Sequence, residues 1–266
     1  MTYDLLIIGG GVNGAAIARE AARNGLSVVL VERDDLAGHT SSASTKLIHG
    51  GLRYLEQYEF ALVREALKER TRLMRAAPHL VEPMQFVLPQ TQSSRPWIMV
   101  RAGLLLYDLL AGRSPLPHAR GLRPGDTLFL APLKRKGSGF VYSDCKVDDS
   151  RLTILNALDA ARHGAEIRTR TELLGARRSG DCWHAQLADG SEIKASAIAN
   201  AAGPWVTDLL ARSGRNSRFG IRLVKGSHIV TRSRNIGQGS ARSAAISSSS
   251  PTGGSSSSRR GTAERQ

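Results

Sequence analysis

A glycine-rich stretch at residues 9–14 constrains the fold more than any other feature of the chain. Its sequence, GGGVNG, contains the pattern G-x-G-x-x-G, which follows an apolar run at 3–8 and opens a helix-like pattern at 12–24. A second apolar run at 27–31 ends at Glu32. This order of strand, tight turn, helix and strand is typical of the start of a Rossmann-like sheet. The stretch therefore predicts a dinucleotide site, with an ordinary glycine turn as the alternative.

The spacing within this unit assigns roles to individual residues. The first helix would present backbone N–H groups to a pyrophosphate, which the glycines allow to approach closely. Glu32 would accept hydrogen bonds from ribose hydroxyls and repel a 2′-phosphate. The pattern alone fits NAD as well as FAD. The hydroxyl-rich segment at 39–54, where an NAD domain would add another helix and strand, favours FAD. The candidate cofactor-binding residues of this unit are Gly9, Gly11, Asn13, Gly14 and Glu32.

The charge and the cysteine content of the chain limit which ligands, metals and compartments we expect for the protein. The formal net charge is +14, but six Arg and one Glu at 232–266 account for +5 of it. Because the basic residues are not interleaved with aromatic residues for base stacking, we expect no nucleic-acid partner. Small anionic ligands or an acidic lipid surface fit the charge equally well. The two cysteines form no ligand-spaced cluster, and the first residues lack a signal-peptide pattern. We therefore expect a reduced, cytoplasmic protein without a metal site.

Further patterns predict how the rest of the chain is organised. Helices are predicted at 59–76, 97–112 and 148–163. A hairpin is predicted around Asp189-Gly190, with a separate buried strand at 196–200. The predicted division is an FAD-binding domain at 1–76 and 147–212, a partial substrate or cap domain at 77–146 and 213–231, and a disordered Ser/Arg/Gly-rich tail at 232–266.

Several blocks of the chain resemble the FAD-dependent glycerol-3-phosphate dehydrogenases, which are aerobic, quinone-linked enzymes. The blocks are HTSSASTKLIHGGLRYLEQYEF at 39–60, YSDCKVDD at 142–149, NAAGPW at 200–205 and IRLVKGSHIV at 221–230. The resemblance implies an α/β fold, in which an FAD-binding Rossmann-like domain of the D-amino-acid-oxidase/glutathione-reductase type carries an incomplete substrate-binding sheet. It also implies oxidation of sn-glycerol 3-phosphate to dihydroxyacetone phosphate, with hydride transfer to flavin N5 and electrons passed to quinone.

The resemblance also implies individual site residues. Arg53 and Tyr54 would face the substrate, since a guanidinium binds a phosphate through two hydrogen bonds and a phenol orients a substrate oxygen. The alternative pairs Arg53 with Glu56 and buries Tyr54 in the core. Independently of the resemblance, the acid–base chemistry of histidine makes His228 our candidate for the base that removes the C2 hydroxyl proton, with an ordinary strand histidine as the alternative. The residues implied at the flavin are Ser41, Ser42, Ser44, Lys46, His49, Gly50, Gly51, Leu52, Ala201 and Gly203.

The implied partners are glycerol 3-phosphate, quinone, a membrane surface and a second copy in a homodimer. The apolar segment 97–110 would contact the inner face of the cytoplasmic membrane, or would be buried in the substrate domain. After about residue 231 the chain departs from the family pattern, so we expect a truncation or a change of reading frame there. Two alternatives therefore stand beside the dehydrogenase. One is an FAD-dependent amine or amino-acid oxidase, and the other is a non-catalytic FAD-binding fragment.

Overall fold

The computed structural model describes residues 1–90, 95–131, 137–215, 220–221 and 244–246. The chain divides into two compact units, and the second combines Gly50–Leu67, Met84–Asp144 and Gln238–Gln266. The first combines Met1–His49, Lys68–Pro83 and Cys145–Gly237. The predicted α/β fold class is confirmed. The predicted domain boundaries stay a prediction, and residues 50–67 group with the second unit.

The helices and strands follow the sequence patterns closely in the first unit. The described residues also include 3-10 helices at Leu52–Gln57 and Gly203–Trp205. The order of elements is β1 (Thr2–Ile8), α1 (Val12–Arg23), β2 (Val28–Val31), β3 (Leu47–Ile48), α2 (Phe60–Ala76), β4 (Val81–Pro89), α3 (Trp97–Ala111), β5 (Arg120–Gly121), α4 (Thr127–Leu130), β6 (Gly139–Val147), α5 (Asp149–Arg162), β7 (Glu166–Arg168), β8 (Leu173–Ser179), β9 (Cys182–Leu187), β10 (Glu192–Asn200), α6 (Val206–Arg212) and β11 (Ala244–Ile246).

The first unit is built on a six-stranded sheet with the order β7-β2-β1-β10-β9-β8. Strands β7, β2, β1 and β10 are parallel, and the β8–β9 hairpin extends the sheet antiparallel to β10. The neighbour of β2 at the edge of the sheet is β7, which is more than 130 residues later in the sequence. The sheet therefore needs no buried strand directly after Glu32, and the segment that follows Glu32 does not add a strand beside β2.

One sequence prediction about this sheet was wrong. The hairpin strand at 192–195 and the buried strand at 196–200 are one continuous strand, β10. Its first half pairs with β9, from Glu192–Gln186 to Ala195–Trp183, while most of its length pairs with β1, from Thr2–Lys194 to Ile8–Asn200. Because different neighbours cover the two parts, the hydrophobic pattern changes in the middle of a single strand.

The sheet is covered on both faces, as parallel strands require. Alternate residues of β1 point to opposite sides: Leu6 and Ile8 pack with the β8–β9 hairpin and α6, and Ile7 packs with helices α1 and α5. Ala18 of α1 and Ala160 of α5 are fully buried on this side of the sheet, and their small side chains allow a close approach. An ion pair between Arg19 Nε and Asp159 Oδ2, 2.6 Å apart, links α1 to α5.

A second sheet has the order β11-β4-β6-β3, with β5 paired to β6. Strand β11 is the part of the 232–266 tail that the structure describes, and it pairs in parallel with β4. The rest of that tail and His228 lie outside the described residues, so the predicted disorder stays a prediction. Within the described ranges, every helix is too short or too polar to cross a lipid bilayer.

Candidate cofactor site

A pocket of about 290 Å³ lies in the first unit, at the carboxyl ends of β1, β2 and β10. Ile8 and Gly9 line it from β1, Val31 and Glu32 line it from β2, and Ala201 lines it from the end of β10. Ligands of open parallel sheets bind at this edge, where the chain leaves the strands. The pocket is therefore the place where the fold alone predicts a nucleotide.

The glycines of the 9–14 stretch shape one wall of the pocket. Gly9 has a left-handed backbone, with φ of +108°, and a Cβ there would lie 2.5 Å from the carbonyl oxygen of Ala201. A Cβ on Gly14 would lie 3.1 Å from the carbonyl carbon of Gly9 and closer still to its oxygen. The turn is thus pressed against β10, and α1 is pressed against the turn. As a result, Gly11, Val12 and Asn13 at the start of α1 line the pocket.

The carboxylate of Glu32 is fixed at the floor of the pocket. Its Oε2 accepts a hydrogen bond of 2.6 Å from the Gly10 N–H, and its Oε1 accepts one of 2.9 Å from the Asp34 N–H. The residue is only 8% exposed and still lines the pocket. Each carboxylate oxygen has a second lone pair, so hydroxyl donors of a ligand would find acceptors already oriented.

Trp205 forms another wall of the pocket together with charged and aromatic neighbours. The Arg33 guanidinium lies 4.1 Å from the centre of the indole, and the His39 ring lies 4.8 Å from it, edge to face. Asp34 Oδ2 bonds both neighbours, at 2.7 Å from His39 Nε2 and 3.1 Å from Arg33 Nε. The hydrogen bond with His39, with a smaller contribution from Arg33, holds the pKa of Asp34 below its ordinary value. These contacts hold the indole in place, so this wall is an aromatic surface of fixed orientation.

Sequence reasoning missed this wall. Arg33, His39 and Trp205 come together only when the loop after β2 meets the end of β10, which no local spacing reveals. The signal available was the tryptophan that ends the NAAGPW block, two residues after its glycine. Glu32, Asp34 and His39 also place potential metal-ligand atoms within 4.8 Å of one another. The hydrogen bonds described above already account for that arrangement.

The pocket brings together part of the predicted set of flavin-binding residues. Ser41 reaches it, and its Oγ accepts a 2.9 Å hydrogen bond from the Val12 N–H at the start of α1. Gly14 lies behind the wall instead of lining it. The predicted residues that line the pocket are Gly9, Gly11, Asn13, Glu32, Ser41, Ala201 and Gly203.

Three predicted residues of the first unit make their hydrogen bonds elsewhere. Ser42 Oγ donates to the His39 carbonyl, 3.0 Å away. Ser44 Oγ and Lys46 Nζ each lie 2.6 Å from the carboxylate of Asp149, the first residue of α5. Burial raises the pKa of Asp149, but the bonds from Lys46 and Ser44 outweigh that effect and hold it below its ordinary value. Their flavin contact stays a prediction. His49 also belongs to this unit, is exposed and does not line the pocket.

The predicted substrate residues lie in the second unit. Arg53 and Tyr54 belong to the 3-10 helix that begins at Leu52, directly after Gly50 and Gly51. The alternative arrangement is not observed, because Arg95 Nη2 pairs with Glu56 Oε2 at 2.6 Å and Tyr54 is 43% exposed. Among the described residues, the exposed Arg53 has no ion-pair or hydrogen-bond partner through its side chain. Its guanidinium is available for an anion.

The fold and the pocket define a dinucleotide-binding α/β protein of the Rossmann type. The chain belongs to the FAD dependent oxidoreductase (DAO) family, whose model matches residues 4–255. The resemblance predicted from the sequence is confirmed, and the family names FAD as the cofactor that we predicted.

The chain is similar to dehydrogenases of polyol phosphates. It is 55% identical over 234 residues to the glycerol-3-phosphate dehydrogenase of Pseudomonas aeruginosa, covering 86% of this chain and 45% of that protein. It is 52% identical over 236 residues to the D-erythritol 1-phosphate dehydrogenase of Brucella abortus, covering 86% and 47%. The structure of the glycerol-3-phosphate dehydrogenase from Bacillus halodurans complexed with FAD matches with a TM-score of 0.57 and 29% identity, covering 79% of this chain and 36% of that one. The chain thus spans about half the length of the curated relatives it matches.

The residues of the pocket fit the adenosine diphosphate half of FAD. The N-terminus of α1 faces the pocket with backbone N–H groups for phosphate, and Glu32 offers acceptors for ribose hydroxyls. Gly9 and Gly11 line the pocket without side chains, which lets a pyrophosphate approach the backbone of the turn closely. Trp205 supplies an aromatic surface of the kind that stacks on a base.

Proposed function

We propose that this chain binds FAD and belongs to an enzyme that oxidises sn-glycerol 3-phosphate to dihydroxyacetone phosphate. The observation that carries the proposal is the exposed, unpaired guanidinium of Arg53, within a sequence block that resembles those dehydrogenases. The high identity to a glycerol-3-phosphate dehydrogenase supports the same substrate. An amine or amino-acid oxidase is ranked lower, because we expect such enzymes to lack a block like the LIHGGLRYLE of residues 47–56.

The chain's own residues would bind and orient the substrate. Arg53 would take the phosphate through two parallel N–H···O bonds, and the Tyr54 hydroxyl would orient a substrate oxygen. Bound FAD would supply the acceptor for the hydride that leaves C2. The proton of the C2 hydroxyl requires a base, and His228 remains our prediction for it. Electron transfer from the reduced cofactor to a quinone belongs to the same proposal.

The test is an anaerobic reduction experiment on the chain reconstituted with FAD. We expect the flavin absorbance near 450 nm to fall when glycerol 3-phosphate is added. Arg53→Ala should raise the concentration of substrate required by more than about tenfold while FAD stays bound, because a charge-assisted bidentate contact is lost. Arg113→Ala, which removes another exposed arginine of the second unit, is the matched control. If FAD binds but no polyol phosphate reduces it, the chain is a non-catalytic FAD-binding fragment.

A second substrate is supported by a specific observation. The identity to the D-erythritol 1-phosphate dehydrogenase is nearly as high as that to the glycerol-3-phosphate dehydrogenase. Both substrates carry a phosphate on a polyol, so Arg53 would serve either. Comparing the rates of flavin reduction by glycerol 3-phosphate and by D-erythritol 1-phosphate at equal concentrations decides between them.

A membrane contact of α3 is also proposed. The exposed positions of this helix are all apolar, and Ile98 and Leu109 are each 76% exposed, with Met99 and Leu105 more than half exposed. Such a face suits the boundary of a lipid bilayer, where a quinone is reached. Leu105→Asp with Leu109→Asp should abolish co-sedimentation with anionic liposomes. Loss of dimers in the same variant, without any liposome binding by the wild type, would assign the face to a homodimer instead.

A further inference from the structure

A buried chain of hydrogen bonds in the second unit ends on the backbone of Gly50. The Tyr107 hydroxyl accepts a 2.8 Å bond from the Gly50 N–H and lies 2.9 and 3.0 Å from the two carboxylate oxygens of Asp144. A phenol has one proton to donate, so Tyr107 donates to the carboxylate and accepts from the backbone. Tyr107 is 1% and Asp144 3% exposed, so water does not compete for these bonds.

Packing fixes the direction of the Tyr107 hydroxyl. The ring lies in a cluster with Val63 and Leu67 of α2, and it meets the Tyr142 ring edge to face at 6.5 Å. A ring held on these sides has one orientation available to its hydroxyl. The hydrogen bond to Gly50 is therefore set by the core of the unit.

The two glycines at the end of this chain of bonds have separate reasons to lack a side chain. A Cβ on Gly50 would lie 2.8 Å from the Tyr107 hydroxyl and closer still to Leu67. Gly51 has φ of +73°, a left-handed conformation, and a Cβ there would lie 2.5 Å from Tyr54 Cδ2. The Gly51 carbonyl then accepts a 2.8 Å bond from the Tyr54 N–H, which starts the 3-10 helix. The anchored residue thus directly precedes the turn that carries Arg53.

We propose that Tyr107 and Asp144 are positioning residues, which hold Gly50 in place and thereby set where Arg53 and Tyr54 stand. The inference rests on the proposed function for its consequence, because Arg53 is the residue proposed to bind the substrate phosphate. Neither Tyr107 nor Asp144 contacts the substrate in this scheme. They act through one backbone N–H group and the glycine turn that follows it.

Hydrogen exchange of the full chain, followed by mass spectrometry, tests the anchor directly. Tyr107→Phe keeps the ring but leaves the Gly50 N–H without its acceptor. We expect exchange at residues 50–52 to rise about 10- to 100-fold, with α5 unchanged. Tyr142→Phe makes the same chemical change on a neighbouring ring outside the chain of bonds, and it should leave residues 50–52 unchanged. Unchanged exchange in Tyr107→Phe would overturn the inference.

A second variant covers the case in which Tyr107→Phe does not fold. Asp144→Asn keeps an acceptor for the phenol, but a neutral amide accepts more weakly than a carboxylate. We expect a smaller rise in exchange at residues 50–52, together with faster tryptic cleavage after Arg53. If the exchange and the cleavage rate both match the wild type, the chain of bonds does not hold the loop, and the inference is wrong.

Titration of the FAD-loaded chain with glycerol 3-phosphate separates positioning from simple stability. Tyr107→Phe should raise about tenfold the glycerol 3-phosphate concentration that half-completes the change of the flavin spectrum. The affinity for FAD should fall much less, because the residues that line the pocket belong to the first unit and are unchanged. Raised exchange without weaker substrate binding would overturn the positioning role. A wild-type chain that does not respond to glycerol 3-phosphate would instead count against the proposed function, and the exchange data would still decide whether the anchor exists.

Discussion

Replacing Gly14 by alanine should destabilise the protein, although alanine is the better helix former. In an open helix interior, Gly→Ala stabilises by about 0.5–1 kcal/mol. At Gly14 the new Cβ would lie 3.1 Å from the carbonyl carbon of Gly9 and nearer to its oxygen. Both atoms are backbone, so no side chain is able to turn away. Overpacking of this kind costs about 1–3 kcal/mol, and we expect a net loss of about 1–2 kcal/mol.

Gly103 of α3 provides the matched control. It is also a glycine inside a helix, but a Cβ there would meet no atom within 4 Å. Gly103→Ala should therefore stabilise by up to about 1 kcal/mol, so the two substitutions should have opposite signs.

Urea unfolding of both variants without FAD measures the stability change, and a fluorescence titration measures the affinity for FAD. The affinity of Gly14→Ala should fall by at least about tenfold, because α1 must move away from the turn that faces the pocket. Gly103→Ala should bind FAD as the wild type does. If Gly14→Ala were as stable as Gly103→Ala and bound FAD equally well, the close contact between α1 and the turn would not exist as described.

Three further predictions concern the pocket and its support. Trp205→Leu should weaken FAD binding about 3- to 10-fold in a fluorescence titration, and unchanged affinity would remove the indole from the site. Glu32→Gln should weaken FAD binding by about tenfold or more, since a charged acceptor is lost, and calorimetry measures this. The lowered pKa of Asp149 stabilises the fold above the ordinary carboxyl pKa of about 3.9, and this contribution is lost as the pH falls through the lower folded value. Lys46→Met should lower the free energy of unfolding by roughly 1 kcal/mol at pH 7. It should also make that free energy depend less on pH in the acid range. Equal slopes of the free energy of unfolding against pH in the variant and the wild type would contradict this.

The parts of the site that could be predicted from the sequence depend on local spacing. The turn at 9–14 and Glu32 were predicted because tight turn, helix and strand are consecutive in the chain, so their order fixes their geometry. Ser41 was predicted only through the family resemblance. Trp205 and Arg33 were missed because their contact joins loops far apart in the sequence.

The errors and the missed features have a common physical cause. Strand β10 was divided in two because its halves face different neighbours, and a hydrophobic pattern reports the neighbours of a residue, not the continuity of a strand. The bond between Tyr107 and Gly50 was missed for a similar reason. A buried phenol looks like any other core residue until the fold shows what its hydroxyl reaches.

The position of β7 and β10 beside the first strands has a consequence for synthesis on the ribosome. The glycine turn emerges early, but its neighbour Ala201 and the wall at Trp205 are translated much later, and the pocket extends to Arg212. The nascent amino-terminal segment must therefore remain without its final partners until residues 200–212 have been made. We therefore expect the cofactor to bind late in synthesis. A nascent chain released before Arg212 is added would lack part of the pocket and would not retain its flavin.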